Sequence, residues 1–210
     1  MTIRKVKVNL EDIAISIESL NTVPDKYQWK TTTSKLFKVN LLQFLFGMNK
    51  MKWIELGAAQ GHTTMILSSV AESVVAIDFD NTNCKKIEEL KISNVEAKSF
   101  DLYDSDFKAY MKENKFDAAL IDAVHDEEHV NIDINNCRSA GVNLFVFDDY
   151  GGFAGVRLAV DNFISSLENN NIQHRITHVG LFPGGEFKNT SYKVLQNWEG
   201  IIVELIKYSV

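Results

Sequence analysis

Apolar positions along this chain switch repeatedly between helical and strand spacing. Leu10, Ile13, Ile17 and Leu20 recur at helical intervals, and past the loop around Pro24 a second helix opens at Thr33 or Ser34 and carries Leu36, Phe37, Leu41, Phe44 and Leu45. These helices form an N-terminal extension over 1–50, ahead of a buried strand that starts near Trp53. Short β-branched runs then alternate with amphipathic segments: a helix from about Thr63, a strand near Val74, a helix near Asn83 to Leu90 and a strand around Val95. The series continues with a helix near Phe107 to Met111, a strand at Ala118 to Ile121, a helix from Asp126, a strand at Leu144 to Phe147 and a helix from Val156 to Ile164. Such βαβ alternation predicts an α/β fold with a doubly wound, mostly parallel sheet. The tail breaks the rhythm with Ile176 to Leu181, a Pro183-Gly184-Gly185 turn and a strand at Ile201 to Leu205, which predicts an antiparallel C-terminal hairpin.

Composition sets the scale. At 210 residues and 45% hydrophobic content the chain can build one sizeable core, and no Gly-, Ser- or Pro-rich linker divides it. A single domain over 1–210, with its core in 51–210, is expected. The formal charge of −6 and the lack of a lysine- or arginine-rich stripe disfavour nucleic acid as a partner and favour a small molecule. No apolar run approaches the roughly 20 residues needed to cross a bilayer, so no membrane partner is expected. Cys84 and Cys137 lack C-x-x-C spacing and no signal peptide is recognisable, so both read as reduced thiols of a cytoplasmic protein, Cys137 in its core. A homo-oligomer is compatible with this composition.

The candidate chemistry begins at Trp53-Ile54-Glu55-Leu56-Gly57-Ala58-Ala59-Gln60-Gly61-His62-Thr63-Thr64, a strand running through a glycine-built turn into a helix. Gly57 and Gly61 bracket the turn, where a missing side chain permits positive φ and lets a ligand approach the backbone. The next strand, Val74-Val75-Ala76-Ile77-Asp78-Phe79, ends in an acid about twenty residues after the first glycine, the spacing at which a carboxylate reaches a ribose hydroxyl. A dinucleotide fingerprint would place glycines where Ala59 and His62 stand, and no phosphate-loop pattern is present.

Acids also follow the later strands: Asp101-Leu102 after the third, Asp122 after the fourth, and Asp148-Asp149 after the fifth. Burying such groups without partners is costly, so their repetition at one sheet edge points to a cation, with Asp122, Asp148 and Asp149 as hard oxygen ligands suited to magnesium. Capping of the following helices is the bland alternative. His125 lies three residues beyond Asp122 and can act as a general base near neutral pH. His125-Asp126-Glu127-Glu128-His129 also has the histidine spacing of zinc proteases, but Asp126 stands where their catalytic Glu is required, and His129 reads as a surface residue.

Glu55-x-Gly57-x-x-x-Gly61 resembles the first motif of the class I S-adenosylmethionine-dependent methyltransferases, and the tail resembles their topology, a seven-stranded sheet with an antiparallel finish. With Asp122-Ala123-Val124-His125 and the run from Val146-Phe147-Asp148-Asp149-Tyr150 to Asp161, the likeness is to metal-dependent O-methyltransferases and spans most of Trp53 to Phe163. In catechol-type relatives an aspartate and an acid-plus-amide pair hold magnesium, which maps onto Asp122, Asp148 and Asp149, with a second aspartate here in place of asparagine. Those relatives keep a lysine base where this chain has His125; the macrocin-type branch is similar to this chain in having histidine there and two aspartates later. The resemblance therefore implies His125 as base, Asp122 as a catalytic metal ligand, magnesium or manganese as the ion, and a non-catecholic hydroxyl acceptor.

It also implies the cofactor contacts. Glu55, Gly57, Ala58 and Gly61 would lie by the methionine part of S-adenosylmethionine and Thr63 by its carboxylate. Asp78 and Phe79 would meet the ribose and its surroundings, Asp101 and Leu102 the adenine, and Asp122 would border the same ligand. Tyr27, Trp29, Tyr150 and Phe153 are candidates to line the acceptor pocket. Two rival readings are a nicotinamide-dependent oxidoreductase, disfavoured by Ala59 and His62, and a non-catalytic cofactor-binding protein.

Overall fold

The structure, a computed structural model, describes residues 33–181 and 198–206. The helix expected around Leu10 to Leu20, Tyr27, Trp29 and the Pro183-Gly184-Gly185 turn lie outside the described residues. In chain order the elements are α1 (Lys35–Leu45), β1 (Lys52–Leu56), α2 (His62–Val70), β2 (Ser73–Asp78), α3 (Asn81–Glu89), β3 (Val95–Ser99) and α4 (Ser105–Glu113). They continue with β4 (Ala118–Ile121), α5 (Glu127–Ser139), β5 (Leu144–Phe147), α6 (Ala154–Asn169), β6 (His174–Val179) and β7 (Gly200–Leu205).

The strands form one seven-stranded sheet in the order β3-β2-β1-β4-β5-β7-β6. β1 to β5 pair in parallel, while β7 runs antiparallel to β5 and to β6. This is the α/β, mostly parallel sheet with an antiparallel C-terminal hairpin that the alternation of patterns predicts. β4 and β5 are buried along their whole length, as central strands covered on both faces must be.

Alternate residues of each strand feed two cores. On one face Ile54, Leu56, Ala119, Ile121, Phe145, Phe147, Ile201 and Val203 meet Phe107 and Met111 of α4, Val130 and Cys137 of α5, and Val160 and Phe163 of α6. On the other, Trp53, Val74, Leu120, Val146 and Ile202 pack under Phe37 and Leu41 of α1 and Leu67 of α2, and Ala76 packs against Ile87 of α3. Three helices cover each face. α6 runs five residues past the expected Ile164 because Leu167 is fully buried in the first core and holds the last turn down. Cys84 and Cys137 are free and buried, and among the described residues no helix is long and apolar enough to cross a membrane.

Candidate functional site

Because β1 to β5 are parallel, everything that follows them in sequence emerges at one sheet edge. Gly57 follows β1 with φ 87°, and a Cβ there would stand 2.0 Å from the Asp122 carbonyl oxygen. The glycine is thus demanded by the close approach of the loop after β4, rather than by a ligand lying on that side of it. Gly61 begins α2 with φ 81°, and a Cβ there would meet Ile87 Cγ1 of α3 at 2.8 Å. Between them Ala59 takes a left-handed φ of 45°. Its N–H is held by Asp78 Oδ2 at 2.8 Å, which helps offset the strain.

Asp78 caps no helix. Asp80 caps α3, accepting from the Thr82 N–H, whereas Asp78 Oδ1 accepts from the Asp80 N–H and the Asn83 side-chain amide. Its carboxylate therefore ties the glycine loop to the end of β2 and keeps lone-pair capacity for a further donor. Phe79 beside it is 77% exposed, and Val124 beyond β4 is 39% exposed, two apolar side chains presented at the same edge. Asp101 lies two residues beyond the end of β3, where Oδ1 accepts the Tyr103 N–H, and Leu102 is buried next to it.

Glu55 is buried in β1 and accepts from the Thr64 hydroxyl at 2.5 Å, bracing the start of α2 from within the sheet. Burial pushes its carboxyl up to about 8. Thr63 is buried and Ala58 packs against Ala76 and Ile87. Glu55, Gly57, Ala58, Gly61, Thr63 and Asp78 thus form one contiguous wall.

The acids after β4 and β5 form the second wall. Asp126 caps α5 and Phe153 stands at the N-cap of α6, so Asp122, Asp148 and Asp149 cap neither helix. Oxygens of Asp122 and Asp149 and a ring nitrogen of His125 lie within 4.8 Å of one another. His125 Nε2 is 3.2 Å from Asp149 Oδ2 and 3.5 Å from Asp122 Oδ1, in hydrogen-bond alignment with neither. The cluster holds His125 without His129, whose Nδ1 is paired with Asp126 at 2.6 Å and whose ring sits edge-on to Tyr103. That disposes of the zinc-protease spacing as a shared site for the two histidines.

Asp148 lies outside the converging trio but against it, with its side chain in contact with that of Asp122. It is buried, its Oδ2 accepts from the Thr33 hydroxyl at 3.1 Å, and its Oδ1 accepts from the Asp149 N–H at 2.9 Å. Burial first, then the charges of Asp122, Asp149 and Glu199, raise the Asp148 carboxyl well above the carboxylate range. Burial and Asp122 lift Asp149 to about 6, and burial raises Asp122 against the opposing pull of His125. Contact with Asp122 and the charge of Asp149 raise the His125 imidazole despite partial burial. The mutual repulsion of these acids is what a bound cation would relieve. Asp149 has φ 58°, a left-handed backbone that aspartate and asparagine tolerate best among residues with a side chain, so either amino acid suits this position.

Helix α1 supplies groups that the sequence reading missed. Lys38 is only 3% exposed, and burial lowers its ammonium to about 8 although Asp148, Glu199 and Glu55 all pull it upward. Glu199, just ahead of β7, accepts from the Ser34 N–H at 2.6 Å and from the Ser34 hydroxyl. A signal for Lys38 was present: it shares a helical face with Leu41, Leu42 and Leu45, all of them buried. The link from Ser34 to Glu199 spans 165 positions and had none. Phe153, a candidate for the acceptor pocket, stacks on His125 with ring centroids 4.4 Å apart, and Tyr150 is buried beside Asp149.

No family model and no curated protein matches the chain. Solved structures do. An O-methyltransferase from Bacillus cereus in complex with SAH is similar to it with a TM-score of 0.60 and 13% identity, over 98% of this chain and 94% of that one. TomG from Streptomyces achromogenes, an O-methyltransferase involved in tomaymycin synthesis and solved with SAM, gives 0.61 and 14% over 98% and 93%. TrmI from Aquifex aeolicus, a tRNA methyltransferase, gives 0.54 and 16% over 96% and 77%. At these identities the likeness is one of fold: the chain has the Rossmann-like fold of the class I methyltransferases, which serves acceptors of very different kinds.

Proposed function

We propose that this chain is an S-adenosylmethionine-dependent O-methyltransferase acting on a hydroxyl of a small molecule, with His125 as general base and a divalent metal ion at the acid cluster. The observation that carries the reading is the meeting of Asp122, His125 and Asp149 at the edge where the Gly57 loop and Asp78 lie. SAM and SAH in the similar O-methyltransferase structures support the cofactor. The formal charge of −6 and a sequence without a basic stripe favour a small acceptor over tRNA.

In this reading Asp78 accepts from the ribose hydroxyls, Asp101 accepts from the adenine amino group, and Phe79, Leu102 and Val124 supply apolar contact to the base. Gly57, Ala58 and Gly61 present backbone to the methionine portion, and the Thr63 hydroxyl donates to its carboxylate. Glu55 acts from beneath, holding Thr64 and so the start of α2. Asp122 and Asp149 are the ligands whose oxygens converge, while Asp148, engaged by Thr33, stands behind them. Magnesium or manganese there would lower the pKa of the acceptor hydroxyl and fix its orientation. His125 takes the hydroxyl proton on Nε2 as the oxygen forms its bond to the methyl carbon, the carbon–sulfur bond breaks and S-adenosylhomocysteine leaves.

Calorimetric titration with S-adenosylmethionine, S-adenosylhomocysteine and nicotinamide dinucleotides tests the cofactor; binding of the last alone would return the chain to the oxidoreductases. Mass spectrometry of hydroxylated small molecules incubated with cofactor tests the reaction. Turnover that survives exhaustive chelation would remove the ion from this account and leave the acids as acceptor contacts.

A further inference from the structure

The hairpin side of the sheet carries a second constellation at the same edge. β7 begins beside the end of β5, with Ile201 opposite Phe147, and His178 of β6 lies opposite Ile201. Residues at the end of β6 and just before β7 are therefore neighbours of the acids that follow β5. His178 stacks on Trp198 with centroids 5.4 Å apart and an interplanar angle of 24°, and lies 6.1 Å from Tyr150, which follows Asp149 directly. Trp198 is 40% exposed, so this aromatic stack has an open side.

Arg157 stands at the base of the stack. Its guanidinium carbon is 5.2 Å from the Tyr150 ring centroid, and Nε is 3.4 Å from Asp161 Oδ2. The other oxygen of Asp161 accepts from the Tyr150 hydroxyl at 2.7 Å, so one carboxylate orients both the ring and the cation. Nη1 of Arg157 is shielded from solvent and has no hydrogen-bond partner among the described residues. A buried guanidinium N–H without an acceptor is unusual in a folded protein. Burial and the charge of Arg157 both lower the His178 pKa, which keeps that ring neutral at pH 7 and leaves Arg157 as the cation of the constellation.

Planar rings beside one guanidinium with a donor unpaired among the described residues match a ring that bears an anion: the rings stack, and the fork of the guanidinium takes the carboxylate oxygens. Resting on the O-methyltransferase reading, we propose that the methyl acceptor is a hydroxylated aromatic carboxylate whose carboxylate docks on Arg157 and whose ring lies against the open side of the His178–Trp198 stack. Asp161 is then a positioning residue, holding Arg157 for that ligand.

The test uses the full chain saturated with S-adenosylhomocysteine and two probes of the same shape, 4-hydroxybenzoate and 4-hydroxybenzamide, titrated calorimetrically. The benzoate is expected to bind at least about tenfold more tightly than the amide. Arg157→Gln should erase that preference while S-adenosylhomocysteine affinity and the thermal midpoint stay near wild type, and Arg157→Lys should keep part of it. Equal binding of the two probes, binding of neither, or a benzoate preference that survives Arg157→Gln overturns the proposal. Failure of S-adenosylhomocysteine to bind would instead overturn the cofactor reading. Repeating the paired titration on the cofactor-free chain keeps the two failures apart.

Discussion

Replacing Gly57 by alanine separates two costs that most glycine substitutions mix. The first is conformational: at φ 87° an L-residue is in the left-handed region, which costs about 1–2 kcal/mol. The second is steric. The new methyl would sit 2.0 Å from the Asp122 carbonyl oxygen, 2.6 Å from its carbon and 2.8 Å from Ala123 Cα, all backbone atoms that no rotamer change can clear. Forcing such an overlap apart costs about 1–3 kcal/mol. Gly47 provides the control, since it has φ 83° and nothing within 4 Å of its would-be Cβ. Urea denaturation followed by circular dichroism should therefore show Gly47→Ala losing about 1–2 kcal/mol and Gly57→Ala losing about 2–5 kcal/mol, with unchanged m-values. Because the overlap lies on Asp122, the Gly57 variant should also lose affinity for S-adenosylmethionine and for a divalent ion at the proposed site, and the Gly47 variant should lose neither. Two variants equal in stability to within about 0.5 kcal/mol would refute the close approach of the two loops.

Further outcomes follow from the same geometry. Glu55 has its carboxyl raised from 4.5 to about 8, so the fold retains a proton that the unfolded chain releases, and wild-type stability should fall as pH rises from about 4.5 to about 8. Glu55→Gln should flatten that fall, gaining up to a few kcal/mol at pH 8 and nothing near pH 4; stability curves that stay parallel for the two proteins would show that Glu55 is not held neutral. Asp78→Ala should weaken S-adenosylmethionine binding by roughly 1–3 kcal/mol in calorimetry, and unchanged affinity in a folded variant would remove the ribose assignment. His125→Ala should slow methyl transfer by roughly 10²–10⁴-fold and abolish the acidic limb of the pH–rate profile, with His129→Ala doing much less. Equal losses for the two histidines would revive a shared zinc site.

The parts of the fold that could be read from the sequence are those where burial is one-dimensional. β4 and β5 are unbroken apolar runs that each end in an acid, and both were expected at their observed bounds, because a central parallel strand leaves no polar alternation to misplace. The sequence pattern places β6 two residues late, at Ile176 to Leu181 against the observed His174–Val179, because its first residues, His174 and Arg175, are polar positions of an edge strand that join it only through the ladder with β7. The end of α6 was hidden in the same way, since Leu167 stands among serines, a glutamate and asparagines and shows its value only once the core beneath it exists.

The candidate site divides along a similar line. Acids at strand ends are visible because a parallel sheet brings strand ends together whatever the details, which is why Asp78, Asp122 and Asp149 emerge at one edge. Glu199 depends on a contact between segments distant in sequence, and Arg157 on a donor unpaired among the described residues, neither of which leaves a periodic trace, whereas Lys38 lies on the periodic apolar face of α1. Gly57 shows how a correct position can rest on an incomplete reason. The motif assigns it to a ligand, whereas its missing side chain admits the backbone of Asp122. The loop that also gives its Ala59 N–H to Asp78 is thereby packed directly against the acid that carries His125 three residues on. The glycine loop and the acid wall are in contact at Gly57, so a shift of either loop displaces the other. In the proposed methyl transfer, which needs donor carbon, acceptor oxygen and base aligned, that contact would make the alignment a property of the backbone rather than of side chains free to rotate.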